Sequence, residues 1–167
     1  RPRRESRGLV TLKASSGAWV ASMSLRDLDL SYEIRERIEP LPLTDSLPRL
    51  TDADLARMRA IQDEIEANDD LERFLLLDRQ FHWLSYSRHA APQLAAIIER
   101  LWDTTQHYRR AFVQLARTEG SWIIDAEHRL LLEALERKDA MTASTVLGMH
   151  IRRTRVALAR HPEILGS

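Results

Sequence analysis

From Ser24 onward the chain is cut by helix-start signals and prolines into segments whose apolar residues recur every three or four positions, and this punctuation leaves room for little but helix. Ser24 with Asp27, and Thr51 with Asp54, have the spacing of capping boxes, where a hydroxyl and an acid three residues on satisfy free backbone amides. Asp139 is placed to cap a last helix, and Pro92 suits the first turn of another. Helices are therefore predicted over about 24–39, 51–68, 70–87, 92–117, 122–137 and 139–160. Pro40, Pro42 and Pro48 interrupt the stretch after the first, so "LPLTDSLPR" is predicted to hold at most a short helix between corners. Only five glycines, set against abundant Leu, Ala, Arg and Glu, agree with this. Residues 8–21 read differently: Leu9–Leu12 and Ala18–Val20 flank "KASSG", a β-hairpin signal. The predicted fold is all-α, an antiparallel helical bundle preceded by a small β-hairpin.

Composition narrows the function classes. With 44% hydrophobic and 30% charged residues in 167, the chain suits one folded domain with a proper core. The absence of Cys excludes disulfide frameworks and thiolate metal sites and is compatible with a reducing compartment. No apolar run reaches membrane-spanning length and no signal peptide is visible, so no membrane partner is expected and the cytoplasm is the predicted location. A net charge of zero gives no global field for nucleic acid, and the runs "RPRRESR", "DEIEANDDLE" and "RRTRVALAR" read as solvated helix faces, the first with a possible nucleic-acid meaning.

Three predicted helices carry polar groups where apolar ones belong. In "LLLDRQFHWLSYSRH" the stripe Leu77, Phe81, Leu84 runs beside Asp78 and His82, which are one turn apart on one face. His128 lies among Ile124, Leu131, Leu132 and Leu135; His150 lies among Val146, Leu147, Ile151 and Thr154. A single such histidine is ordinarily a satisfied core residue, but three with an aspartate in one core call for a shared partner. A divalent metal fits, since imidazole nitrogen and carboxylate oxygen are common ligands of zinc, nickel, manganese and iron. His89, His107 and His161 are read as structural or solvated. A metal-dependent hydrolase or oxygenase would need a base, and Glu127 and Glu133 have no distinctive spacing for one. A purely structural metal is the other alternative.

The segments "YEIRERIEP", "TDADLARM", "FLLLDRQFHWLS", "AEHRLLLEALERKDA" and "MHIRRT", in this order, resemble the FCD domain, the C-terminal effector-binding domain of GntR-family transcription regulators of the FadR type. The resemblance runs from about Met23 to Arg160 and implies an effector- and metal-binding helical domain over 23–167. "RGLV" and "SGAWVAS" resemble the wing of the family's winged helix-turn-helix, and "RPRRES" the end of its recognition helix, so residues 1–22 are expected to be the remnant of that DNA-binding domain in a truncated regulator. In the metal-containing branch, an Asp and three His hold a divalent ion, which implies Asp78, His82, His128 and His150 as ligands and zinc or nickel as the metal. The resemblance further implies a small organic acid as effector, with Arg35 of "YEIR" facing the pocket; the plainer role for Arg35 is a salt bridge with Glu36 or Glu39. It implies a homodimer acting on operator DNA, and no enzyme. The chain departs from the family in having "HAAP" where Gly-Asn is frequent, and a proline-rich 40–48 stretch.

Overall fold

The computed structural model describes residues 23–119 and 122–163, together with the backbone of two short strands, 10–12 and 18–20; side chains of 115–119 are outside the description. Strands β1 (Val10–Leu12) and β2 (Ala18–Val20) pair antiparallel, with Thr11 opposite Trp19. The turn expected between them, and the remaining positions of 1–22, lie outside the described residues.

Everything else is helix or its connections. Six helices of at least 14 residues are described: α1 (Leu25–Ile38), α3 (Asp52–Glu66), α4 (Leu71–Tyr86), α5 (Pro92–Glu119), α6 (Trp122–Glu136) and α7 (Ala140–Ala159). The seven-residue α2 (Pro40–Ser46) and a 3-10 turn (Leu47–Arg49) fill the proline-rich stretch, as the short helix between corners required.

The ends are set by local chemistry legible in the chain. Ser24 accepts from the Asp27 amide at 3.0 Å, and Thr51 with Asp54 forms a reciprocal box at the start of α3. Asp70 and Asp139 accept from the amides of Arg73 and Thr142. Pro40 and Pro92 each stand in a first turn, where their missing amide costs nothing. Between α6 and α7 the chain reverses through Lys138 in left-handed backbone (φ 56°), with the Asp139 amide bonded back to the Ala134 carbonyl. Glycine is usual there; a lysine is strained by roughly 1–2 kcal/mol. Its ammonium offsets this by donating to the Leu47 and Leu50 carbonyls at 3.1 and 2.7 Å.

α3 packs on α4 and α6, α7 lies against α1, α2 and α6, and α1 also meets α5. The core between them holds Tyr32, Met58, Leu77, Phe81, Leu131, Leu135, Leu147 and Ile151. All six longer helices turn at least one polar side chain into that core, and these side chains make the site.

Candidate metal centre

The site begins on α4. Asp78 and His82 are one helical turn apart and fully enclosed, because the same turn buries Leu77 and Phe81. His128 enters from α6 and His150 from α7 along the apolar stripes that carry them, and all three imidazoles are buried. Their ring centroids form a nearly equilateral triangle, 5.1 Å from His82 to His128, 5.2 Å from His82 to His150 and 5.0 Å from His128 to His150. One ligand atom from each of the four residues falls within 4.8 Å of the others, so the cluster could hold a metal ion. The four residues singled out in the sequence are thus brought together.

Hydrogen bonds behind two of the rings decide which nitrogen faces inward. Gln62 on α3 donates its amide nitrogen to Glu66 at 3.0 Å and Asp125 at 3.3 Å, which turns its oxygen toward His128 Nδ1 at 2.8 Å. An amide oxygen only accepts, so Nδ1 of His128 carries a proton, and the neutral ring presents the lone pair of Nε2. Glu127 plays the same part for His150, its carboxylate 2.7 Å from Nδ1, while Arg153 holds that carboxylate from outside. Burial alone would raise the Glu127 carboxyl, but the Arg153 and His150 contacts bring it down to about 2, so it is charged and accepts. This is the arrangement in which an outer acceptor fixes the tautomer and ring direction of a ligating histidine.

The inward-facing atoms are mismatched among themselves. His128 Nε2 lies 3.4 Å and His82 Nε2 3.7 Å from Asp78 Oδ1. Neither Asp78 oxygen, nor His128 Nε2, nor His82 Nδ1 has a hydrogen-bond partner, although all are shut away from solvent. Asp78 Oδ2 has an ion-pair partner instead: Arg109 Nη2 of α5 stands 2.5 Å away, outside hydrogen-bond geometry. Burial opposes charge on Asp78, yet Arg109, His82 and His128 together hold its carboxyl far below the ordinary range. Burial pushes His82 well below the usual imidazole value against the pull of Asp78, and lowers His150 against the pull of Glu127. Two neutral rings and a carboxylate therefore face one another, a donor set of nitrogen and oxygen that suits a divalent ion.

Arg35 sits beside this cluster rather than in it. Its Nε donates to Glu39 at 2.6 Å, and its guanidinium lies over Trp102, 4.4 Å from the ring centroid. Of the two sequence-level roles for Arg35, the Glu39 pair is present, but it is buried, not on the surface. Arg35, Arg109, Trp102, His82, His150 and Thr154 line one narrow cleft that opens to solvent. Its walls join the pair to the cluster. Of the remaining histidines, His107 is exposed, His89 accepts from the Ala91 amide and His161 pairs with Glu163.

Three participants were not anticipated in these roles: Gln62, Arg109 and, as a histidine anchor, Glu127. Each stands at a helical step from buried apolar neighbours, such as Met58, Gln62, Ile65 on α3 and Trp102, Thr105, Arg109, Phe112 on α5. A polar residue on a core stripe was the available signal.

Fold and site together define an all-helical ligand-binding type of domain with a buried nitrogen/oxygen cluster at its centre. Residues 30–153 match the FCD domain family, and the chain belongs to that family, the non-enzymatic C-terminal domain of GntR-family regulators. It is 26% identical over 172 residues to the Exu regulon transcriptional regulator of Escherichia coli strain K12, and equally to that of Shigella flexneri. That alignment takes in 92% of this chain, which spans 66% of the length of those relatives. Among solved structures, the bundle resembles a GntR family member from Pseudomonas syringae pv. tomato (TM-score 0.73, 23% identity, 93% of this chain and 65% of that one). It also resembles E. coli McbR/YncC (TM-score 0.84, 21% identity, 93% and 79%), a likeness of fold. Among the described residues no helix is long and apolar enough to cross a membrane.

Proposed function

We propose that this chain is the sensing part of a ligand-responsive transcription regulator, which binds a small carboxylate metabolite through a divalent metal held by Asp78, His82, His128 and His150. One observation carries the reading: a histidine lone pair, directed by Gln62, faces a carboxylate oxygen at 3.4 Å in a closed core. Two acceptors so placed repel, and a cation between them turns the repulsion into two bonds. Zinc or nickel suits the donors, and four protein ligands leave coordination positions for an exogenous oxygen. When bound, the metal would supply the Lewis-acid anchor for that carboxylate.

Arg35 serves as a further donor to the same ligand. Glu39 occupies its Nε, and its Nη1 has only a long 3.4 Å contact with Thr105. Signalling requires that the ligand prefer one of two arrangements of paired subunits. The regulator is accordingly read as a cytoplasmic homodimer, with operator DNA engaged by a winged helix-turn-helix domain to which residues 1–22 belong.

The test is calorimetric titration of small mono- and dicarboxylates into zinc-loaded protein and into the double variant Arg35→Leu, Glu39→Gln, which removes the buried pair without leaving a lone charge. Some acid should bind the wild type and bind the variant about tenfold to a hundredfold more weakly, as expected for a lost charge-assisted bond. Metal content should be equal in both. Full zinc occupancy with no acid bound by either protein would make the metal structural only.

A further inference from the structure

Three guanidinium groups surround the indole of Trp102, and they differ in their counter-ions. Arg35 is 4.4 Å from the ring, Arg109 5.2 Å and Arg79 5.9 Å. Arg79 pairs with Asp103 at 2.8 Å near the surface. Arg35 has its own carboxylate, Glu39, which Tyr86 and Trp102 also hold at 2.8 and 3.1 Å. Arg109 is different. Among the described residues its ion-pair partner is Asp78, which belongs to the cluster, and its Nη1 is buried without a hydrogen-bond partner.

We infer that Arg109 neutralises Asp78 while the cluster is metal-free, is released by the metal, and then acts as the second cationic anchor of a dianionic ligand. This rests on the metal reading above and names the ligand class for the same cleft. A charge count over the cleft and the adjoining cluster gives the reason. Arg35 and Glu39 cancel, and so do Asp78 and Arg109. Imidazoles ligate as neutral rings and add nothing, so a bound divalent ion brings the enclosed sum to plus two. A low-dielectric interior tolerates such an excess poorly. One carboxylate halves it; a small dicarboxylate, one end toward the metal and the other toward Arg109, cancels it. Arg109 and His82 both line the cleft beside Trp102, and the buried Nη1 leaves the guanidinium one donor already unengaged. A planar fork with two parallel donors matches a carboxylate.

Calorimetry on wild type and Arg109→Gln tests this, with zinc alone first, then malonate and succinate against their monoamides on the zinc-loaded proteins. Removing a positive charge beside Asp78 should strengthen zinc binding at least tenfold, an effect that a merely structural arginine would not produce. The wild type should prefer each dianion to its monoamide by at least tenfold, and the variant should lose that preference. Unchanged or weaker zinc binding by folded Arg109→Gln overturns the inference, as does a dianion preference that survives. If the variant does not fold, Arg109→Lys keeps the charge without the fork: zinc affinity should stay within about threefold of wild type and dianion affinity fall at least tenfold. Equal dianion affinity in that variant is again contrary. A wild type that binds no zinc removes the metal reading itself, whereas zinc binding that is insensitive to Arg109 removes only this inference.

Discussion

Two polar clusters lie side by side in one apolar core, and they are finished to different degrees. Around Glu39, one carboxylate oxygen accepts from Arg35 and Trp102 and the other from Tyr86. Around Asp78, neither oxygen accepts a hydrogen bond, and His128 Nε2 and His82 Nδ1 share that condition. Both carboxylates are fully buried, so exposure does not separate them. What separates them is hydrogen bonding: Glu39 has it on both oxygens, whereas Asp78 has ion-pair contacts without it. A satisfied cluster is part of the architecture, and the unsatisfied one is where we propose that an ion binds.

The contrast can be broken most forcefully at Glu39. Glu39→Gln leaves the buried Arg35 guanidinium without its counter-charge, a loss of about 3–5 kcal/mol. For a domain of this size that is a fall in melting temperature of roughly 6–20 °C, equal with and without zinc. A zinc-dependent fall would mean that the two clusters are one. Next in size, Gln62→Leu removes the acceptor behind His128 and should weaken zinc binding tenfold to a hundredfold by calorimetry, about 1.4–2.7 kcal/mol. The Glu39 variant should leave zinc affinity within a few-fold of wild type.

The smallest effect belongs to a helix end remote from both clusters. Asp54 accepts from the Thr51 amide and from Arg88, contacts that hold its carboxyl well below the usual value. Because the folded-state value is depressed, the stabilisation is complete above the unfolded carboxyl value near 4 and is lost as the pH falls below it. Asp54→Asn should therefore cost about 1 kcal/mol at neutral pH, 2–4 °C in thermal melts, with the difference from wild type shrinking below about pH 4. Zinc affinity should not change.

The helices were legible because their ends are written locally: Ser24, Thr51, Asp70 and Asp139 cap helices by contacts three residues long. The inward histidines were legible for a similar reason, since a helical stripe fixes direction over one turn. The partners behind them were not. Gln62 reaches His128 across 66 positions, and Arg109 meets Asp78 from a separate helix, so both contacts depend on how helices are stacked. Periodicity shows that Gln62 and Arg109 face the core and is silent on which side chain they meet there. Glu39 lay within reach of sequence reasoning, as the i, i+4 partner of Arg35, but its burial turned an ordinary surface pair into an interior one. The paired strands 10–12 and 18–20 fall within the segment read as a hairpin, whose turn lies outside the described residues.

The Asp78 cluster is where we propose that a divalent ion binds. The most direct measurement is calorimetric titration of zinc into chelator-stripped protein, run in parallel with His128→Ala. The account predicts one zinc per chain in the wild type and at least hundredfold weaker binding in the variant, which loses a ligand and the lone pair that Gln62 directs. A wild type that takes up no stoichiometric zinc, or a folded His128→Ala protein that binds it equally well, would contradict it.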